Sequence, residues 1–210
     1  MKNIYIGLIL MICSFGFSYS QQASQIQTAF NALKSKNYDV AIQHYSKVIE
    51  TKADYAAAYF GRGLAYYHLN NYNQSLIDFN KAATFEPDLK DLYYARGLTY
   101  TKLDKLSSAI DDFTKHIASD PNSAPAYYAR GNVYYFLEED QNALHDYSKA
   151  IALNPKYAQA YYGRAVIYKI MKNNDAALRD FDKYIELADK NEPLKEEVKR
   201  LIDEIVSIDK

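Results

Sequence analysis

The chain has no tryptophan and a single cysteine, Cys13, among 210 residues. A framework of disulfides is thereby excluded, and with it a small scaffold stapled by several of them. Neither sign of charge is in excess, since 25 Lys and Arg stand against 26 Asp and Glu. Non-specific nucleic-acid binding needs a basic face to neutralise phosphates, and no Lys/Arg-rich run supplies one, so no nucleic-acid partner is expected. The four histidines, His44, His68, His116 and His145, share no spacing that would hold a metal between two of them. No glycine-rich phosphate loop and no nucleophile motif is present. Asp111-Asp112 and Glu138-Glu139-Asp140 read as acids on a helix surface or in a turn. Neither an enzyme nor a cofactor is expected, and no residue is assigned a catalytic or metal-binding role.

Only one long apolar run occurs, Ile4 to Phe17, preceded by the positive charge of Lys2. It is short for a membrane span and of the right length for the core of a signal peptide. Ser18-Tyr19-Ser20 places small residues where a signal peptidase reads them. Residues 1–20 are therefore expected to be a leader cleaved before Gln21, directing the chain to the periplasm or the exterior. A mature chain without a membrane span follows, and without Cys13 it has no thiol chemistry. Leu10-Met11-Ile12-Cys13 also resembles a lipoprotein box, with Ile12 where that box prefers a small residue, so a lipid anchor on Cys13 is the alternative.

What the sequence has is a phrase repeated at a period of 34 residues: Ala58-Tyr59-Phe60-Gly61-Arg62-Gly63, Leu92-Tyr93-Tyr94-Ala95-Arg96-Gly97, Ala126-Tyr127-Tyr128-Ala129-Arg130-Gly131 and Ala160-Tyr161-Tyr162-Gly163-Arg164-Ala165. A fixed period of this size signals a stacked array, not one globular core. Pro87, Pro121 and Pro155 close successive units, giving repeats 22–55, 56–89, 90–123, 124–157 and 158–191. Within a repeat, an aromatic, a small residue and an aromatic recur at i, i+4 and i+7 (Tyr127, Gly131, Tyr134), which is one face of a helix. A second apolar period follows (Ala143, Tyr147, Ala150), and turn-formers such as Asn70-Asn71-Tyr72-Asn73 separate the two. Each repeat is thus a helix, a turn and a second helix. Beyond them, Asn191-Glu192-Pro193 reads as a helix start. The stripe Leu194, Val198, Leu201, Ile202 and Ile205 then makes 192–207 a capping helix within a C-terminal segment 192–210.

This pattern resembles the tetratricopeptide repeat family, which places an aromatic at repeat position 4, Gly or Ala at 8, Tyr at 11, a small residue at 20, an aromatic at 24, Ala at 27 and Pro at 32. The resemblance implies an all-α fold, a right-handed superhelical solenoid of helix–turn–helix 34-residue repeats. The first repeat departs most, with Gln25 at position 4 and Ala32 at 11, so only its second helix (Tyr38, Ala41, Tyr45) follows the pattern. His116 and Tyr184 stand at position 27, where packing around a larger side chain must differ.

Position 7 carries Arg62, Arg96, Arg130 and Arg164, and sixteen residues on stand Asp78, Asp112, Asp146 and Asp180. The first repeat lacks both, with Thr28 and His44 instead. Arginine and aspartate come and go together, which points to structural ion pairs within a repeat or across to a neighbour. An arginine ladder for an anionic ligand is the functional alternative.

Positions 5, 9 and 12 lie on a different stripe from the packing face. In the family that stripe lines the inner groove. Here it carries Phe60, Leu64 and Tyr67; Tyr94 and Leu98; Tyr128, Asn132 and Tyr135; and Tyr162 and Val166. The second aromatic of the repeated phrase is left over by packing at 4, 8 and 11. Rigid rings of this kind anchor protein–protein contacts, although they could also pack between neighbouring helices. The family's clamp for chaperone C-termini needs Lys or Asn at 5 and 9, and only Asn132 satisfies it, so that site is absent. The expected function is a non-enzymatic scaffold that binds a segment of another protein in an aromatic-lined groove. The alternative is a structural component that buries the same stripe in a homo-oligomer.

Overall fold

The computed structural model describes residues 22–189 and 192–208, and its regular elements are helices. The leader expected over 1–20, Cys13 and the Asn191 cap lie outside the described residues. The helices are α1 (22–34), α2 (Tyr38–Thr51), α3 (Ala56–His68), α4 (Tyr72–Phe85), α5 (Leu92–Lys102), α6 (Leu106–Ser119), α7 (Ala124–Phe136), α8 (Asp140–Leu153), α9 (Ala158–Ile170), α10 (Asn174–Leu187) and α11 (Leu194–Ile208). They form two compact units, one ending at Leu103 and holding α1–α5, the other beginning at Asp104 and holding α6–α11.

The turn between the two helices of a repeat shares one backbone feature in all five repeats. Position 15 has left-handed backbone in every repeat, at Lys36, Asn70, Asp104, Glu138 and Lys172, with φ between 56° and 62°. In the fourth repeat the Glu138 N–H donates to the Tyr135 carbonyl and the Glu139 N–H to that of Tyr134. Asn70 and Asn71 repeat this on Tyr67 and Tyr66, and Lys172 and Asn173 on Lys169 and Tyr168. Such paired bonds satisfy the last carbonyls of a helix and turn the chain sharply back. None of the five residues is glycine, although this conformation costs a side-chain-bearing residue roughly 1–2 kcal/mol.

In the first unit, Ala29, Ala32, Ala41, Tyr45, Val48, Ala58 and Ala65 form one core shared by α1, α2 and α3. The first repeat is thus a full helix pair, although its sequence marked only the second helix. Buried alanines replace the missing rings, and the His44 Nδ1–Gln25 Oε1 hydrogen bond ties α1 to α2. Phe79, Ala82, Leu92 and Ala95 then join α4 to α5.

In the second unit, Ala143, Tyr147 and Ile167 join α8 to α9. Ala158, Ala165, Ala177, Phe181 and Tyr184 continue through α9 and α10, with Val198 and Ile205 of α11 in the same core. Leu194, Leu201 and Ile202 also pack there, so the α11 stripe covers apolar surface of the last helix pair. Burying Val198 and Ile205 contributes roughly 1.5–3 kcal/mol each. Tyr184, in place of a small residue at position 27, sets its ring 5.6 Å from that of Tyr162.

Candidate binding groove

Three Arg–Asp pairs have the same geometry. Arg62 Nε and Nη2 donate to the two carboxylate oxygens of Asp78 at 2.7 and 2.8 Å. Arg130 does so to Asp146 at 2.7 and 2.9 Å, and Arg164 to Asp180 at 2.6 and 2.9 Å. Each pair is two-pronged and bridges the two helices of one repeat, from α3 to α4, α7 to α8 and α9 to α10. Arg96 belongs to the first unit and Asp112 to the second.

The third nitrogen reaches the other way. Nη1 of Arg62, Arg96, Arg130 and Arg164 donates to Ser46, Asn80, Thr114 and Ser148, each sixteen residues earlier, at 2.8–3.1 Å. Sequence reasoning missed this row, although a small polar residue at position 25 of every preceding repeat signalled it. Tyrosine rings flank the guanidinium as well: Arg130 stands 5.7 Å from the centre of Tyr127 and 5.8 Å from that of Tyr134. Hydrogen bonding to Asp146 holds Arg130 more firmly protonated than usual, against the opposing effect of burial. Arginines engaged in this way join helices and present no free fork to an anion.

Most of the position 5, 9 and 12 residues line two described cavities. In the first unit, Phe60 and Leu64 line a cavity of about 300 Å³ with Ile26, Phe30 and Leu33 of α1, floored by Tyr45 and Gly61. Tyr67 lies elsewhere, its ring 5.5 Å from that of Tyr72. Burial raises the pKa of Tyr94, and the nearby Tyr67 adds to the effect. Leu98 is half-buried on α5 and lines neither described cavity.

In the second unit, Tyr128, Asn132, Tyr135, Tyr162 and Val166 line one cavity of about 260 Å³ between α7 and α9. Phe136, Tyr147 and Gly163 complete it, and no charged side chain is among the lining residues of either cavity. The position-5 rings are not simply left over. Tyr128 sits 5.9 Å from Tyr147 and 5.0 Å from Tyr157, and Tyr162 sits 6.2 Å from Phe181. Each ring is half-buried on aromatics of neighbouring elements and half open. Farther out the wall is bare, with Phe136 63% exposed.

Tyr147 forms the floor and is 1% exposed. Its hydroxyl donates to Asn132 Oδ1 at 2.9 Å. Burial pushes its pKa far above the ordinary tyrosine value, with smaller contributions from Tyr128, Tyr135 and Asp146. Burial also raises Tyr162, with Glu197 of α11 the next cause. Lys169, at position 12 of the last repeat, pairs with Glu204 of α11 at 3.0 Å. Among the described residues no group of His, Cys, Asp and Glu could hold a metal ion, and no helix is long and apolar enough to cross a membrane.

Models of the tetratricopeptide repeat match residues 33–70, 56–89, 91–123, 124–157 and 146–179, together most of the chain. The chain belongs to the tetratricopeptide repeat family. Solved tetratricopeptide-type structures share its fold. A crystal structure of MamA is 26% identical, with TM-score 0.71, covering 82% of this chain and 96% of that one. MamA from Desulfovibrio magneticus RS-1 is 19% identical, with TM-score 0.75, covering 79% and 94%. YrrB, described as a TPR protein with an unusual peptide-binding site, is 22% identical, with TM-score 0.74, covering 89% and 97%. A comparison with curated protein sequences returned no match. In all these respects the chain is an all-α tetratricopeptide array.

Proposed function

We propose that this tetratricopeptide repeat protein is a non-enzymatic scaffold that holds a segment of another protein against the position 5, 9 and 12 face of its first helices. One observation carries the reading: the second-unit cavity is walled by half-open aromatic side chains and contains no charge. Rigid rings with a polar tip, set around a depression that desolvates its occupant, are what protein-binding hot spots are made of. Membership of a family of protein-interaction scaffolds supports it, and YrrB, of the same fold, is described as binding peptide. The leader-like residues 1–20 would place the scaffold outside the cytoplasm, with Cys13 lipidation as the other route to the envelope.

Affinity capture from envelope extract tests this reading. Capture of a defined partner by the wild type, and its loss in Tyr128→Ala plus Tyr162→Ala with helicity retained, is the expected result. Equal capture by both would remove the groove from the account.

A second reading has its own support. Phe136, Leu137, Ile170 and Met171 are exposed apolar residues at the ends of α7 and α9, and a second copy of the chain could cover them. Light scattering after size-exclusion chromatography separates the two: a monomer favours an open groove, a dimer that persists on dilution favours self-assembly.

A further inference from the structure

The floor of each cavity follows a rule that runs through the chain. Where position 24 of one repeat is Tyr (Tyr45, Tyr147), position 6 of the next is Gly (Gly61, Gly163). Where position 24 is Phe (Phe79, Phe113), position 6 of the next is Ala (Ala95, Ala129). A β-carbon on Gly163 would stand 2.8 Å from Cζ of Tyr147, and one on Gly61 would stand 2.6 Å from the Tyr45 hydroxyl oxygen. No side chain fits at those separations unless the ring moves, so each tyrosine ring in its observed position requires the missing β-carbon. Both Tyr–Gly pairs lie in the lining of a cavity. The chain therefore has one device for opening a depression in the first-helix face, and it uses it twice.

The second-unit cavity also specifies its occupant. The Tyr147 hydroxyl donates to Asn132 Oδ1, and in this arrangement the Asn132 Nδ2 group is available as a donor on the cavity lining. An occupant with an oxygen acceptor complements that donor. The uncharged lining selects against an ionised side chain, since nothing there would compensate its desolvation. A cation held by the rings alone would meet the partial positive charge of Nδ2. An enclosed apolar cavity of about 150 Å³ is enough for benzene, so about 260 Å³ holds a phenyl or phenol ring with an adjoining peptide carbonyl.

We infer that the Tyr147–Gly163 cavity is a side-chain pocket for a phenylalanine or tyrosine of the partner segment, whose neighbouring carbonyl accepts from Asn132. This rests on the scaffold reading and names what the groove selects. Offset or edge contacts with Tyr128, Tyr135 and Tyr162 give an aromatic side chain roughly a threefold to tenfold advantage over leucine.

The test is an NMR titration of the full-length protein with N-acetyl-phenylalaninamide, N-acetyl-tyrosinamide, N-acetyl-leucinamide and tetramethylammonium. The aromatic amides should shift the Asn132 side-chain amide and the Gly163 N–H saturably, with a dissociation constant on the order of 1 mM. Asn132→Leu, the residue found at the same position in Leu64 and Leu98, should weaken them roughly tenfold. Tyr147→Phe with Gly163→Ala installs the chain's own Phe–Ala pairing and should abolish saturation while keeping helicity. Tighter binding of leucinamide or tetramethylammonium, or unchanged binding in either variant, overturns the inference. If the aromatic amides bind as expected but no partner is captured, the scaffold reading fails and the pocket stands. If partner capture is indifferent to the Phe–Ala variant, the pocket assignment fails and the scaffold reading stands.

Discussion

The ring of Tyr147 lies in the space that a β-carbon of residue 163 would need, 2.8 Å from that position. The same ring stands 2.9 Å from where a β-carbon of residue 131 would be, so it is wedged between glycines of α7 and α9. Gly163→Ala alone should therefore strain the α8–α9 junction and cost roughly 1–3 kcal/mol. Adding Tyr147→Phe, which removes the hydroxyl's anchor on Asn132 and so frees the ring to retract, should recover most of that loss. Urea unfolding of the two variants checks both halves.

The Arg130–Asp146 pair gives a second prediction. Arg130 is 14% exposed and Asp146 1%, so removing one partner leaves a desolvated charge. Arg130→Ala should cost roughly 3–5 kcal/mol. Arg130→Leu combined with Asp146→Ala should be more stable than Arg130→Ala, because no charge is left unpaired. Strictly additive losses in the unfolding cycle would contradict the pairing.

Alkali should unfold the protein through its tyrosines. Burial raises the pKa of Tyr45, Tyr67, Tyr94, Tyr147, Tyr162 and Tyr184 in the folded chain. A group whose folded pKa lies above its unfolded value of about 10 contributes stability that is complete below that pH. The contribution is lost as pH rises through the folded values. Tyrosinate absorbance should accordingly titrate in two classes, the buried one appearing together with loss of helical circular dichroism.

The left-handed turn residues are a reserve of stability. Glu138→Gly or Lys172→Gly should raise stability by up to about 1 kcal/mol, because glycine adopts their backbone without steric penalty. Thermal melts of the single variants would show it, and a loss of stability would mean that the side chains contribute more than the strain.

Much of this was legible in the sequence because every repeat writes it again. The 34-residue period, the helix–turn–helix unit and the Arg–Asp spacing need only comparison of one repeat with the next. The first helix pair was harder, since Gln25, Ala29 and Ala32 pack by small volume and a hydrogen bond, without the rings that mark the other repeats. The cavities were harder still. The position-5 rings could be placed on a stripe, but whether a ring is packed or open depends on what faces it across helices. The Tyr–Gly and Phe–Ala alternation is present in the sequence, but its meaning depends on the approach of Tyr147 to Gly163.

The central claim is that the α7–α9 face receives a partner. Site-resolved photo-crosslinking in extract from the cells that make the protein tests it most directly, with benzoylphenylalanine placed once at Tyr135 on the cavity wall and once at Lys149 on exposed α8. The account predicts a discrete adduct from position 135, little from 149, and a yield at 135 that falls several-fold when Tyr147→Phe and Gly163→Ala are introduced together. Equal adducts from both positions, with the yield at 135 unchanged in that variant, would contradict it.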